Sequence, residues 1–569
     1  MTGIQSRKKI VVIGGSAAGP KAAARARRLD QNAEITIIQK DPDLSMASCG
    51  YPYYVGGFFD DRRLLIGTSG GTVRDADYYM NMKDIAARTG TEAIAIDRGK
   101  RAITCRDLAT GTVDEVPYDS LVITTGARPV IPPVPGADLE GITTLQSMRD
   151  ADYLRRVRDE KKIKRAVVIG GGLIGIETCE ALQNAGIAIT VIEMMPQLLA
   201  FLDWELAKLV EHHVIENSSM VITENGLAAF AGEKGKLVGV RLSDGTELPC
   251  ELAVVAVGVR PSTALAQEAG LLIGETGGIA VNEYMQTSDP CIYAAGDCVE
   301  IPHLITGRKV HAPYGDLANL QGRVAGENAA LGNRATFPGT IQTGICKVFE
   351  YTAGSTGLSE RAARAAGFED VVTVICAGAD RPGFMEGELL VTKLAADAKS
   401  GRILGAQCVG PGDASKQLAI WAMAILAGRT VGEIVNADLP YAPPFSTAID
   451  HSIAATHVMQ NKIEGRFRGI SAAAVRERLD RGERPFLLDV RGPDEYAETR
   501  LGIGEKLVPL ETLRRRLGEL PADKDAEIIC YCAVSLRGYE ASLILGAHGW
   551  TNVHVMEGGI AAWPYAKEK

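Results

Sequence analysis

RAVVIGGGLIGIETCEALQNAGIAITVIE, residues 165 to 193, is the stretch whose reading decides the fold. An apolar run ends in Gly170, Gly172 and Gly175, a helix-forming stretch follows, and a second β-branched run closes on Glu193. Glycines at this spacing permit a tight turn whose backbone N–H groups, at the start of the helix, face a pyrophosphate. A carboxylate after the second strand accepts hydrogen bonds from a ribose 2′-hydroxyl and repels a 2′-phosphate. Glu193 therefore favours NADH, while basic residues elsewhere leave NADPH open. The pattern occurs once before, from Lys9 to Asp41: strand KIVVIGG, glycine turn, helix AAARARRLD, strand EITIIQK. Gly14 and Gly19 stand at that turn, Ser16 takes the place of the usual middle glycine, and Gln39 and Lys40 close the second strand. One imperfect fingerprint is weak evidence. Two in the same strand-turn-helix-strand context imply two dinucleotide-binding folds in one chain.

The remaining composition is consistent with this. A chain of 569 residues implies roughly four domains. The net charge of −9 is spread without long runs, which argues against a nucleic-acid or anionic-membrane partner. MTGIQSRKK leads directly into a strand, and no apolar segment reaches membrane-spanning length, so a cytoplasmic protein is expected. The eleven cysteines are irregularly spaced and the eight histidines scattered, which implies neither a disulfide framework nor a metal site. Cys105, Cys179, Cys250, Cys346, Cys376 and Cys408 read as small buried hydrophobes.

Three further segments resemble the two-dinucleotide flavoprotein disulfide reductases: SLVITTGARP (120–129), VAVGVRP (255–261) and IYAAGDCV (292–299). The resemblance implies that Thr125 and Gly126 close the first nucleotide domain, Gly258 ends the second, and Gly296 and Asp297 hold flavin. The motif order implies an NAD domain inserted into an FAD domain. The fold class expected is α/β, with two Rossmann-like domains, an α+β dimerisation domain and a further C-terminal α/β domain. The expected limits are 1–150 and 278–334 for the FAD domain, 151–277 for the NAD domain, 335–460 for dimerisation, 461–469 for a linker and 470–569 for the tail.

DLSMASCGYPYYVGG, around Cys49, resembles coenzyme A disulfide reductases and the related NADH-dependent persulfide reductases. Most relatives in the wider family carry a second cysteine nearby, but CGYPYYV has none. Cys49 must therefore reach its oxidised state with an external partner, as a mixed disulfide, a persulfide or a sulfenic acid. GGSAAG lacks the histidine that sulfenic-acid peroxidases of the superfamily place after the first glycine turn. By the same resemblance Ser45 and Ser48 lie near a thiol substrate. Lys21, Arg25 and Arg28 share a helix face that either meets coenzyme A phosphates or is simply solvated. YAPPFS supplies Tyr441 as a hydrogen-bond donor from a second subunit. The sequence departs from the family pattern at Gln39, Phe384 and Ile449, the last two in the expected substrate region.

The tail, from PFLLDVRGPDEYAETRLG through EIICYCAVSLRGYEASLILGAHGW, resembles a single rhodanese domain. The resemblance makes Cys532 the sulfur-carrying nucleophile, with Arg537 closing its loop at a helix N-terminus. Asp489, Arg491 and Glu495 become structural support, and Cys530 a buried strand residue. Loop N–H groups and the helix start stabilise a thiolate or persulfide. CAVSLR is nearly neutral, which disfavours a strongly anionic donor.

Together these readings imply a homodimeric, FAD-containing, NADH-dependent reductase of persulfides or polysulfides, with coenzyme A as substrate or bound ligand and Cys532 carrying sulfane sulfur. A coenzyme A disulfide reductase with a regulatory sulfur-binding tail is the alternative. A flavin-based sulfur sensor with little turnover is a third reading.

Overall fold

The computed structural model describes residues 7–569. Met1 to Ser6, part of the N-terminal stretch read above, lie outside them. Short β-branched runs with no polar alternation form strands buried on both faces. KIVVI forms β1 (Lys9–Ile13), followed by α1 (Ala18–Leu29) and β2 (Glu34–Ile38). Then come α2 (Tyr51–Gly56), β3 (Ala86–Arg88) and β4 (Ser120–Ile123). The second glycine fingerprint builds β5 (Arg165–Ile169), α3 (Leu173–Gln183), β6 (Ala188–Ile192) and β7 (Leu252–Val255). β8 (Ile292–Ala294) and α4 (Gly315–Leu331) follow.

One parallel sheet runs β8-β4-β1-β2-β3. The chain thus leaves this sheet after β4 and returns to it at β8, as the motif order implies. Between those visits it builds the parallel array β6-β5-β7, with Ile142–Thr143 beyond β7. α1 and α4 meet through backbone: a Cβ at Gly322 would lie 2.3 Å from the Ala18 carbonyl oxygen, and one at Gly326 2.2 Å from that of Ala22. No side chain fits between the helices there.

The chain divides into two compact units, one reaching to Ile192 and including Asn225–Thr340, the other comprising Glu193–Glu224 and Ile341–Lys569. The second unit contains an antiparallel sheet of β9 (Gly344–Val348), β10 (Tyr351–Gly357), β11 (Val371–Ala379), β12 (Leu389–Asp397) and β13 (Ile403–Gly410), ordered β9-β10-β13-β12-β11. α5 (His451–Ile463) packs on β11 and β12. The tail folds as β14 (Gly469–Ile470), β15 (Phe486–Asp489), α6 (Pro493–Glu498), β16 (Lys506–Leu507), β17 (Ile528–Tyr531), α7 (Leu536–Ala547) and β18 (Val553–Met556). Its parallel sheet is ordered β14-β18-β17-β15-β16.

Residues 461–469, expected as a linker, are instead integral structure. Residues 461–463 finish α5, Gly465 makes a turn at φ 74°, and Gly469 begins β14. Phe467 is only 5% exposed and meets Tyr539 edge-on with centroids 5.6 Å apart. Burying the ring outweighs the preference of its charged neighbours for solvent. Nearby, Lys462 Nζ donates to the Thr373 carbonyl at 2.7 Å and pairs with Glu557 at 2.5 Å, while Glu557 accepts the Ile375 N–H at 3.0 Å. These bonds seat the tail sheet on β11. Among the described residues no helix is long and apolar enough to cross a membrane.

Candidate active site

Both glycine turns are cradles that side chains would destroy. Gly14 has φ 107°, and a Cβ there would lie 2.1 Å from the Thr124 carbonyl oxygen; one at Gly19 would lie 1.9 Å from that of Gly14. At the second turn, a Cβ on Gly170 would lie 2.4 Å from the Ala256 carbonyl oxygen and one on Gly175 1.9 Å from that of Gly170, while Gly172 has open space around it. Ala17 and Gly172, the capping positions of α1 and α3, offer no side-chain acceptor to the first-turn N–H groups. Uncapped N-termini of this length fit a pyrophosphate. Ser16 is exposed and does not fill the first cradle. Burial raises the Asp297 carboxyl above its usual range, against the pull of His311.

The other expected cofactor residues are distributed as follows. Gln39 is buried; its Oε1 accepts the Gly15 N–H at 2.8 Å and its Nε2 donates to the Asp43 carbonyl at 3.3 Å, so its amide braces the turn. Lys40 is exposed and pairs with Glu92 at 2.8 Å. Thr125 donates to the Ser262 carbonyl at 2.6 Å, while its neighbour Thr124 donates to the Ile13 and Gly14 carbonyls at 2.7 and 3.1 Å. Gly126, Gly258 and Gly296 take left-handed conformations just beyond β4, β7 and β8. Glu193 follows β6 directly and accepts the Met195 N–H at 2.8 Å.

The Cys49 segment is stitched to the first cradle. The Ser45 N–H donates to the Gly15 carbonyl at 2.7 Å and the Ala47 N–H to that of Leu65 at 2.9 Å. Ser45 itself is buried and its hydroxyl is hydrogen-bonded to Tyr79, so this expected substrate residue serves the scaffold; Ser48 is exposed. Cys49 is exposed in the single turn before α2. A Cβ on Gly315 would lie 3.5 Å from its Sγ, which places the sulfur at the N-terminus of α4, where the helix dipole favours a thiolate. The packing around Cys49 acts the other way and pushes the thiol up, with Glu177 and Asp297 adding to the effect. Tyr53 donates to Glu177 at 3.2 Å. Burial holds Cys105 at about 11, Cys250 at about 12 and Cys408 at about 12, and all six cysteines read as core residues are buried. The basic face of α1 is reduced by one charge, since Arg25 pairs with Glu327 of α4 at 2.5 Å; Lys21 and Arg28 are exposed.

In the tail, β17 ends at Tyr531 and Cys532 follows it; Cys530, inside the strand, and Cys532 are both fully buried. The Cys532 and Ala533 carbonyls accept the Ile560 and Ala561 N–H groups at 2.9 and 3.1 Å. In trans peptides this turns the next two N–H groups the opposite way. Ser535 sits at φ 91°, a strained angle for a residue with a side chain. Arg537 donates from both terminal nitrogens to the two Glu495 oxygens, each at 2.6 Å. Hydrogen bonding to Arg537 holds the Glu495 carboxyl down at about 2. Asp489 and Arg491 form a buried pair at 2.7 Å, and Arg491 also donates to the Glu495 and Thr499 carbonyls at 3.1 and 2.8 Å. The expected support residues thus fix α6 and aim Glu495. Tyr441, Phe384 and Ile449 are exposed at 55%, 77% and 56%.

Residues 8–311 match the pyridine nucleotide-disulphide oxidoreductase family, 343–453 its dimerisation domain and 471–566 the rhodanese-like domain. The chain belongs to the pyridine nucleotide-disulphide oxidoreductase family. A solved NAD-dependent persulfide reductase from A. fulgidus is 43% identical with a TM-score of 0.92, covering 98% of this chain and 100% of that one. Reduced Bacillus anthracis CoADR-RHD is 32% identical with a TM-score of 0.90, covering 98% of both chains. An NAD(P)H coenzyme A polysulfide/persulfide reductase of Pyrococcus horikoshii is 33% identical over 460 residues, 80% of this chain and all of its own. The architecture is therefore two Rossmann-like domains, one inserted in the other, with a dimerisation domain and a rhodanese domain. The family uses FAD and NAD(P)H, and the two uncapped glycine cradles fit both.

Sequence reasoning missed Glu177, Gly315 and Glu557. No local motif marks them, because each gains its role from a residue far away in the chain.

Proposed function

We propose that this oxidoreductase uses NADH, as a homodimer, to reduce persulfides and polysulfides of low-molecular-weight thiols, chiefly coenzyme A, and releases hydrogen sulfide. One observation carries the reading: Cys49, exposed and without a neighbouring cysteine in its sequence, is stitched to the first cradle in a chain that also holds Cys532 in an anion-stabilising loop. Full-length likeness to a persulfide reductase supports it. All eleven cysteines are free, which suits the reducing cytoplasm.

In this reading Gly14, Ser16, Gly19, Thr125, Gly126, Gly296 and Asp297 hold FAD, with Gln39 bracing the turn. Gly170, Gly172, Gly175, Glu193 and Gly258 hold NADH. The bound flavin supplies two-electron exchange between nicotinamide and sulfur. Cys49 thiolate attacks the S–S bond of R–S–SH. Attack at the inner sulfur forms Cys49–S–S–R and expels HS⁻; attack at the outer sulfur forms Cys49–S–SH and expels RS⁻. Either product needs two electrons to return the Cys49 thiolate. Tyr441 from a second copy donates a hydrogen bond to the leaving sulfur. Lys21 and Arg28 meet the phosphates of coenzyme A, with Ser48 near its thiol. Cys532, assisted by Arg537, carries sulfane sulfur to or from the small thiol. The domain limits proposed are those expected from the sequence, with the linker replaced by continuous structure.

Anaerobic NADH oxidation with coenzyme A persulfide, coenzyme A disulfide and polysulfide, followed by sulfide release, tests the reading. Fast turnover with persulfide or polysulfide is expected, and none in Cys49→Ser. Fastest turnover with coenzyme A disulfide would make this a disulfide reductase, and turnover in Cys49→Ser would remove the mechanism.

A further inference from the structure

The loop that carries Cys532 contains a single charged side chain, Arg537, among Ala533, Val534, Ser535 and Leu536. That charge is already paired. Glu495, reaching in from α6, takes both terminal nitrogens of the guanidinium at 2.6 Å in a bidentate clasp, the strongest carboxylate–arginine geometry. Glu495 is itself anchored, since its Oε2 also accepts the Gly492 N–H at 2.9 Å. Behind the clasp, Asp489 and Arg491 neutralise each other while fully or nearly fully buried. Arg537, which also meets Cys532, is thus offset by Glu495, and Arg491 by Asp489; at the loop's edge Leu536 is 64% exposed.

We propose that Glu495 is a specificity-determining residue, which cancels Arg537 so that Cys532 takes sulfur from weakly charged alkyl persulfides and discriminates against dianionic donors. The inference rests on Cys532 being the sulfur acceptor. Two transfers compete. With a persulfide, Cys532–S⁻ attacks the terminal sulfur of R–S–SH; the new S–S bond forms as the old one breaks, giving Cys532–S–SH and RS⁻. With thiosulfate, the same attack gives Cys532–S–S⁻ and expels sulfite, and the charge of −3 is carried on both sides. The second route brings two negative charges to the loop and leaves two on the departing group, so it requires an unopposed cation. An alkyl persulfide instead offers an apolar body to Leu536 and needs only the loop N–H groups for its sulfur.

The test follows Cys532 directly. Full-length, flavin-loaded enzyme is mixed with thiosulfate or with the persulfide of 2-mercaptoethanol, without NADH. The reaction is quenched by alkylation, and the rate at which the Cys532 peptide gains one sulfur is read by mass spectrometry. Glu495→Gln should raise the thiosulfate rate relative to the persulfide rate at least tenfold, as an unpaired cation at the site accelerates anion capture. That gain should disappear in high salt, and Glu495→Asp should keep the native selectivity. A parallel fall with both donors, or no change in their ratio, would overturn the proposal. If the Gln variant does not fold, Val534→Lys adds a cation beside an intact clasp and should show the same gain; its absence would equally overturn the idea. Sulfur appearing on other cysteines while Cys532 stays unmodified would instead sink the reading of Cys532 as acceptor.

Discussion

Replacing Lys462 with methionine would leave Glu557 as a buried carboxylate without its cation. Glu557 is 2% exposed, and its partners are the Lys462 ammonium at 2.5 Å and the Ile375 N–H at 3.0 Å. Burial pushes the Glu557 carboxyl up and Lys462 pulls it back. Without Lys462 only the Ile375 N–H and the charge of Lys393 still oppose burial, and the carboxylate takes up a proton once holding the charge costs more than protonation. From the ordinary glutamate value of 4.5, protonation at pH 7 costs about 3.4 kcal/mol, and at pH 6 about 2 kcal/mol. These figures cap the penalty, and the one at pH 7 lies within the range for breaking a buried pair. Because a multidomain chain does not unfold in one step, the assay is hydrogen exchange at the amides of β14 and β18, which the pair seats against β11. Exchange should accelerate by up to ~300-fold at pH 7 but by no more than ~30-fold at pH 6, after correction for intrinsic rates. Adding Glu557→Gln should restore most of the protection, since an amide oxygen still accepts the Ile375 N–H and carries no charge. Acceleration below about fivefold at pH 7, or a double variant as loose as the single one, would refute the reasoning.

Three further outcomes are expected. Gly175→Ala places a methyl carbon 1.9 Å from the Gly170 carbonyl oxygen; the turn must open at about 1–3 kcal/mol, so NADH titration should show at least tenfold weaker binding with the flavin spectrum retained. Burial holds His451 down at about 4 from 6.5, so the unfolded state binds a proton that the folded state refuses. Asp450 is opposed by burial but held down at about 2 by Lys416, Ser452 and Ser446. Stability around α5 should thus be complete above pH 6.5, fall by up to roughly 3 kcal/mol as pH drops toward 4, then fall again as Asp450 protonates; a flat denaturation midpoint from pH 7 to 4 would contradict this. Phe467→Ala removes a buried ring at about 3 kcal/mol and should open the chain to trypsin at Arg466 and Arg468, where the native protein resists.

The linker reading shows where composition misleads. NKIEGRFRG has the charge and glycine of a solvated hinge, but a single aromatic, Phe467, finds Tyr539 and carries the segment into the core. Ser45 and Arg25 show the same limit. The family resemblance put Ser45, and helical spacing put Arg25, on plausible substrate-facing positions, and Tyr79 and Glu327, 34 and 302 residues away, engage them.

What the sequence determined by itself is whatever a few tens of contiguous residues encode. The two glycine turns are such features, because strand, turn and helix are specified locally and a Cβ at Gly19 or Gly175 cannot be accommodated. So is the contrast between Cys530 inside a strand and Cys532 just past its end. The tertiary structure decided which charges meet. The α4 N-terminus at Cys49, the Glu495 clasp on Arg537 and the Lys462–Glu557 seat all join residues from separate elements. Such pairs form only after the chain has closed long loops around buried sheets, and neither periodicity nor motif spacing carries that information.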